Sequence, residues 1–160
     1  FDGKTLAGWK VTDFAGHGEV HVKDGVLRIE MGAGLGGVTY TNPVPKVDYE
    51  VTLQARKIAG GDFFCGLTVP VRDSHCTLIV GGWGGGLVGI SSIDGMDASE
   101  IDNEKLADVE IKDRRVSMRP GEIEIATPFS ISTYVTTAEI RNIRLRKLPP
   151  GGETAPKQVP

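Results

Sequence analysis

The sequence predicts an all-β fold, an antiparallel β-sandwich or jelly roll, and three observations carry that prediction. Apolar and polar residues alternate with a period of two along most of the 160-residue chain, so each segment turns one side inward and the other outward. Glycine occurs 22 times, about twice its usual share of about 7%, and without a collagen period, which means many tight turns. No segment shows a sustained 3.6-residue apolar repeat, and the one short helical candidate, residues 98–106, is mostly polar. Roughly ten short strands separated by turn signals favour a sandwich over a βαβ arrangement.

The elements follow in order. Val20-His21-Val22-Lys23, Asp24-Gly25 and Val26-Leu27-Arg28-Ile29-Glu30-Met31 read as a tight hairpin, because Asp-Gly supplies the positive φ angles that a two-residue turn requires. Val47, Tyr49, Val51, Leu53 and Ala55 alternate with Asp48, Glu50, Thr52, Gln54 and Arg56, the pattern of a half-buried strand. Phe63 to Pro70 and His75 to Val80 read as a second hairpin around Val71-Arg72-Asp73-Ser74. Its register sets Leu67 against Leu78, Cys65 against Val80 and Cys76 against Val69. The two cysteines then stand about 13 Å apart along the strands, beyond disulfide reach, and share the parity of the core residues. They are expected to be reduced. Thr68, His75, Thr77 and Phe64 fall on the opposite face. Further strands are expected at residues 87–93, 107–111, 115–118, 123–126, 129–134 and 140–148. One domain thus spans residues 1–148, and residues 149–160, rich in Pro and Gly, read as a tail or as a linker to a further domain.

Composition narrows the function classes. The balance of 18 Lys+Arg against 21 Asp+Glu gives a formal charge of −3, which argues against nucleic acid as a partner. No apolar run approaches the roughly 18 residues of a transmembrane helix. The chain begins at Phe1 without Met, from which an upstream segment is expected.

Phe1-Asp2-Gly3-Lys4-Thr5-Leu6-Ala7-Gly8-Trp9-Lys10 resembles the opening signature, F-[DN]-G-K-x-L-x-G-W, of the 3-keto-disaccharide hydrolase domain family. Glu139-Ile140-Arg141-Asn142-Ile143-Arg144-Leu145-Arg146-Lys147-Leu148 resembles its closing strand. Stretches around Gly60–Leu67 and from Asp73 to Glu100 resemble one branch of it. The resemblance implies a concanavalin A-like jelly roll, secreted or periplasmic in bacteria, that acts on or binds sugars, including glycosides oxidised at C3, with the two end motifs on neighbouring strands. The chain departs from the common pattern where Asp62-Phe63-Phe64-Cys65-Gly66 stands in place of an N-S-G motif, and at residues 103–119, where members carry two further strands.

Several residue groups suit such chemistry. Hydrolysis of a glycoside uses two carboxyl groups about 5–5.5 Å apart for retention or about 6.5–9.5 Å apart for inversion. The dense carboxylate cluster here is Asp94, Asp97, Glu100 and Asp102. Asp94, Asp97 and Glu100 read either as the rim of a sugar cleft or as an acidic surface turn punctuated by Asp-Gly; they lack the spacing of a calcium loop. A 3-keto sugar needs a base for its acidified C2–H and a donor for the enolate oxygen. His75 is the base by residue type, with Asp73 and Arg72 beside it to orient it or hold substrate; the same histidine also reads as merely exposed. Trp83, within Gly81-Gly82-Trp83-Gly84-Gly85-Gly86, reads as a sugar-stacking ring or as a core residue between two bulges. Trp9 reads as core. The stripe Arg141, Arg144 and Arg146 reads as a solvated face that blunts edge pairing. If His17, His21 and His75 converged they would suggest a metal, but no ligand spacing supports one, and no cofactor is expected. The expected catalytic site therefore joins His75, Asp94, Asp97 and Glu100 with Trp83, Asp73 and Arg72 within about 10 Å. A non-catalytic carbohydrate-binding module and a structural or assembly domain are the alternatives.

Overall fold

The computed structural model of the chain describes residues 1–101, 115–117 and 121–150. The strands expected at 107–111 and 115–118 fall wholly or partly outside them, as do Asp102 and residues 151–160; within 115–117, Val116 forms only an isolated bridge to Ile93. Ten strands are present in the described residues: β1 (Trp9–Val11), β2 (Val20–Lys23), β3 (Val26–Ile29), β4 (Leu35–Tyr40), β5 (Tyr49–Gly60), β6 (Cys65–Val71), β7 (Ser74–Gly82), β8 (Leu87–Ser91), β9 (Ser130–Tyr134) and β10 (Thr136–Lys147). They form two antiparallel sheets packed face to face, one ordered β1-β4-β9-β6-β7-β8 and the other β2-β3-β10-β5. The molecule is a β-sandwich of the jelly-roll kind.

Local chemistry explains the pieces. In the β2–β3 hairpin Lys23 pairs with Val26, and Asp24 and Gly25 take φ of 53° and 81°, as a two-residue turn matched to strand twist requires. The β6–β7 hairpin has the expected register, with Cys65 opposite Val80, Leu67 opposite Leu78 and Val69 opposite Cys76. Its turn is tighter than expected, since Val71 pairs with Ser74. β5 keeps its alternation, but Val47 lies outside it and is 50% exposed, because Asp48 takes a left-handed conformation just before the strand. Residues 123–126 are not a strand: Glu122–Ala126 is a 3₁₀ helix.

The core lies between the sheets. A transverse row of Val22, Leu27, Ile140 and Ala55 in the smaller sheet packs toward a row of Val38, Ile131, Leu67 and Leu78 in the larger one. Leu27, Ile29, Val38, Ile131 and Ile140 are completely buried. Cys65 and Cys76 are free and buried within it, and burial pushes their thiols up to about 12 and about 11. Trp9, Tyr40 and Phe129 close one end, with ring centroids 5.0 to 6.3 Å apart. Trp9 is thus a core residue, as its sequence context suggests.

Two expectations need correction. β1 and β10, which carry the end motifs, lie in different sheets rather than on paired strands; the motifs meet across the sandwich, where Trp9 and Ile143 share the core and the Phe1 ammonium donates to the Ile143 carbonyl at 3.1 Å. β10 is an interior strand, not the edge that the arginine stripe suggests. Its arginines stand on the outer face, where Arg146 pairs with Glu50 at 3.1 Å.

Ile140 contacts both neighbours in its sheet and sits at the centre of the core. Ile140→Ala should therefore cost about 2–5 kcal/mol of unfolding free energy, read as a lowered urea midpoint at an unchanged slope.

Candidate functional site

The larger sheet has two faces of different character. Opposite the core, cross-strand pairing lines up Lys10, Thr39, Ser130, Thr68, Thr77 and Ser91. From Thr39 to Thr77 this row is buried. Thr68 and Thr77 share a 2.9 Å hydrogen bond, and Thr39 is bonded to Thr12 at 2.8 Å. Ser91 Oγ accepts from the Ala98 amide at 3.0 Å, and Ala98 is fully buried. Thr68 and Thr77 therefore do not line an open sugar cleft, and Phe64 packs against the core cluster. Period-two parity tells which residues share a face, but not what covers that face.

Within the expected site, Trp83 stands apart from His75. His75 lies near the start of β7, beside the turn formed by Arg72 and Asp73, both of which are exposed. Thr77 pairs with Ser91, so the chain leaving β8 runs toward the level of His75. Asp94 thus belongs to the same end of the sheet. Asp94 Oδ1 accepts from the Arg115 amide at 3.0 Å, and Glu100 Oε2 accepts from the Asp97 amide at 2.8 Å, so two of the three carboxylates bind backbone amides, one joining distant segments and one closing a local turn. Trp83 follows the other end of β7, eight residues from His75, and an extended strand of that length spans about 25 Å. Even with its register shift between Val80 and Gly82, β7 sets His75 and Trp83 at opposite ends, too far apart for a single cleft of about 10 Å. Burial, and then the charge of Lys46, hold the His75 imidazole below its ordinary value of 6.5.

At the far end of β7, by contrast, a site is assembled. Trp83 is 51% exposed, so the core reading of this residue is overturned. The Asp62 carboxylate fixes its backbone: Oδ1 accepts from the Phe63 and Trp83 amides at 2.7 and 3.1 Å, and Oδ2 accepts from the Gly84 amide at 3.1 Å. A side chain at Gly84 or Gly86 would meet nothing within 4 Å, and one at Gly85 would meet only Lys57 Nζ at 3.6 Å. Space therefore surrounds the loop backbone at these glycines, with the Lys57 ammonium beside Gly85. Gly81 approaches the Phe64 ring so closely that a Cβ there would lie 2.9 Å from it. Phe63 stacks on Tyr134, which is 42% exposed, at 6.1 Å.

Asp62 is itself held where the chain changes sheets. Its amide donates to Thr136 Oγ1 at 3.1 Å, and that hydroxyl donates to the Asp62 carbonyl at 3.0 Å. The Tyr134 amide donates to Phe63 at 3.1 Å, and the Val135 amide to Gly34 at 3.1 Å. A Cβ on Gly60, where φ is 109°, would lie 2.4 Å from the Val135 carbonyl oxygen, so only glycine fits there. Asp62 and Tyr134 were not singled out by sequence; the available signal was an aspartate after Gly60-Gly61, since Asp side chains accept nearby amides in turns.

Among the described residues no group of three His, Cys, Asp or Glu is placed to hold a metal. His21 and His75 stand in different sheets, so the three histidines do not converge. No known protein family, no curated protein and no solved structure matches the chain.

Asp62→Ala should cost about 1–3 kcal/mol through orphaned amides and speed hydrogen exchange at Trp83 and Gly84. Asp62→Asn, which keeps the Oδ1 contacts, should cost less; equal exchange in all three proteins would contradict the anchoring role. A histidine held below its ordinary value in the folded state binds fewer protons there than in the unfolded chain. The His75 contribution to stability is then complete above about 6.5 and is lost as pH falls through the lower folded value. His75→Gln should accordingly flatten the acid limb of a denaturation series from pH 7 to 5.

Proposed function

We propose that this chain is a carbohydrate-active β-sandwich that holds a sugar ring on Trp83, with disaccharides and their 3-keto derivatives as its ligand class. One observation supports the reading above all: a half-exposed tryptophan whose backbone is fixed by a carboxylate and whose neighbours are glycines. A flat apolar ring costs little entropy to use, and an aromatic ring on an anchored backbone gives a pyranose face a surface to stack on. Lys57 beside the loop supplies a donor for sugar hydroxyls.

A second reading, elimination at a 3-keto glycoside, draws support from His75. Its lowered proton affinity keeps the imidazole neutral near pH 7, as a general base requires. In that step the base takes the C2 proton, the C1–O bond breaks, and the departing alkoxide takes up a proton. Water then adds across the new double bond. The separation of His75 from Trp83 favours recognition over catalysis.

Incubation with 3-keto-trehalose and 3-keto-lactose, with calorimetric titration of the parent disaccharides, separates these readings. Saturable binding that falls at least about tenfold in Trp83→Ala, without product formation, is the expected result. Turnover abolished by His75→Ala would establish the second reading, and neither binding nor turnover would leave a structural or assembly domain.

A further inference from the structure

The smaller sheet also presents an organised outer face. Cross-strand pairing lines up His21, Arg28, Glu139 and Arg56. Glu139 sits between two guanidiniums, at 3.1 Å from Arg28 and 2.6 Å from Arg56, and Arg28 also meets Glu30 at 2.6 Å. These charges are mutually satisfied. Arg141, one step along β10, differs: it has no ion pair among the described residues. Its Nε donates instead to the neutral Gln54 Oε1 at 2.8 Å.

The same Gln54 oxygen accepts a second bond, from Asn142 Nδ2 at 3.1 Å. Asn142 reaches it because β10 bulges between Arg141 and Arg144, with Asn142 at φ 54°. The bulge therefore orients the Gln54 amide, and the amide orients the guanidinium through Nε. No bond among the described residues engages the two terminal nitrogens of Arg141, and the residue lines a groove of about 210 Å³ with Val26, Gln54, Ala55, Arg56 and Glu139. A wider hollow of about 430 Å³ adjoins it, sharing Val26, Arg56 and Glu139 and extending to Lys23, Asp24 and Glu30.

From this geometry we propose that the Arg141–Gln54 pair is a carboxylate clamp for a uronic acid residue of an acidic polysaccharide. A guanidinium fixed at Nε presents its remaining N–H groups in the planar fork that matches a carboxylate. Val26, on the outer face two residues before Arg28, gives the groove an apolar patch for a sugar ring. The adjoining hollow mixes cations with Asp24, Glu30 and Glu139, which suits hydroxyl-rich units carrying sparse negative charge and repels a densely charged polyanion. The choice of a glycan over an acidic peptide rests on the sugar-binding reading above; the clamp itself rests on Arg141.

Calorimetric titration of the whole chain with tri-galacturonic acid and with its methyl ester tests the clamp. The acid should bind at least about tenfold more tightly than the ester. Arg141→Gln should abolish that preference while Arg144→Gln, on the same strand face, preserves it. Equal affinity for acid and ester, or equal losses in the two arginine variants, would overturn the proposal, and so would oligoglutamate binding as tightly as the uronate. Should Arg141→Gln fail to fold by circular dichroism, Gln54→Ala replaces it and must weaken the preference several-fold. A neutral disaccharide titrated in parallel reports on the Trp83 reading separately: loss of that binding with the acid preference intact removes the Trp83 site and leaves the clamp.

Discussion

The junction between Asp62 and Thr136 governs how this sandwich is put together. β5 belongs to the smaller sheet and β6 to the larger; β9 belongs to the larger and β10 to the smaller. Both crossovers meet at these two residues, whose backbone and hydroxyl groups exchange hydrogen bonds of 3.0 and 3.1 Å. The β3–β4 crossover joins them through Gly34. A chain switching sheets leaves the ladder of strand hydrogen bonds, and each buried amide it frees must find a partner. Here the three crossovers satisfy one another, with Gly60 permitting an approach that any side chain would block.

Function is supported from this same corner. The carboxylate of Asp62 accepts from the Trp83 and Gly84 amides of the β7–β8 loop, so the crossover that fixes the fold also fixes the Trp83 backbone. The larger sheet's outer face, in contrast, is occupied by internal Thr–Thr bonding; Ser130 Oγ is the buried side-chain polar atom left without a partner among the described residues. Ligand contact is thereby directed to the sandwich end at Trp83 and to the solvated outer face of the smaller sheet, where charged rows and a bulge replace hydroxyls.

Much of the architecture was legible in the sequence because period-two alternation and turn chemistry are local. Asp24-Gly25 set the first hairpin, and the parity of Cys65, Leu67 and Leu78 gave the register and the inward placement of both cysteines. The site was less legible for a physical reason. Parity puts His75, Thr68 and Thr77 on one face without revealing that the threonines bond to each other and are buried. Adjacency along β7 suggests that His75 and Trp83 cooperate, although an extended strand carries residues apart faster than any other element. Asp62 acts through sequence-distant amides at Trp83 and Gly84, and the bulge at Asn142 depends on pairing with β5. Neither leaves a periodic trace.

The central claim, that a sugar engages the Trp83 ring above its Asp62-anchored backbone, can be read from the molecule's two tryptophans. Trp83 is 51% exposed and Trp9 only 9%, so their indole N–H resonances report separately on the loop and on the core. Titration with a neutral disaccharide should shift the Trp83 indole signal saturably and leave that of Trp9 unmoved. A Trp83 signal indifferent to every sugar offered, or a response confined to Trp9, would contradict it.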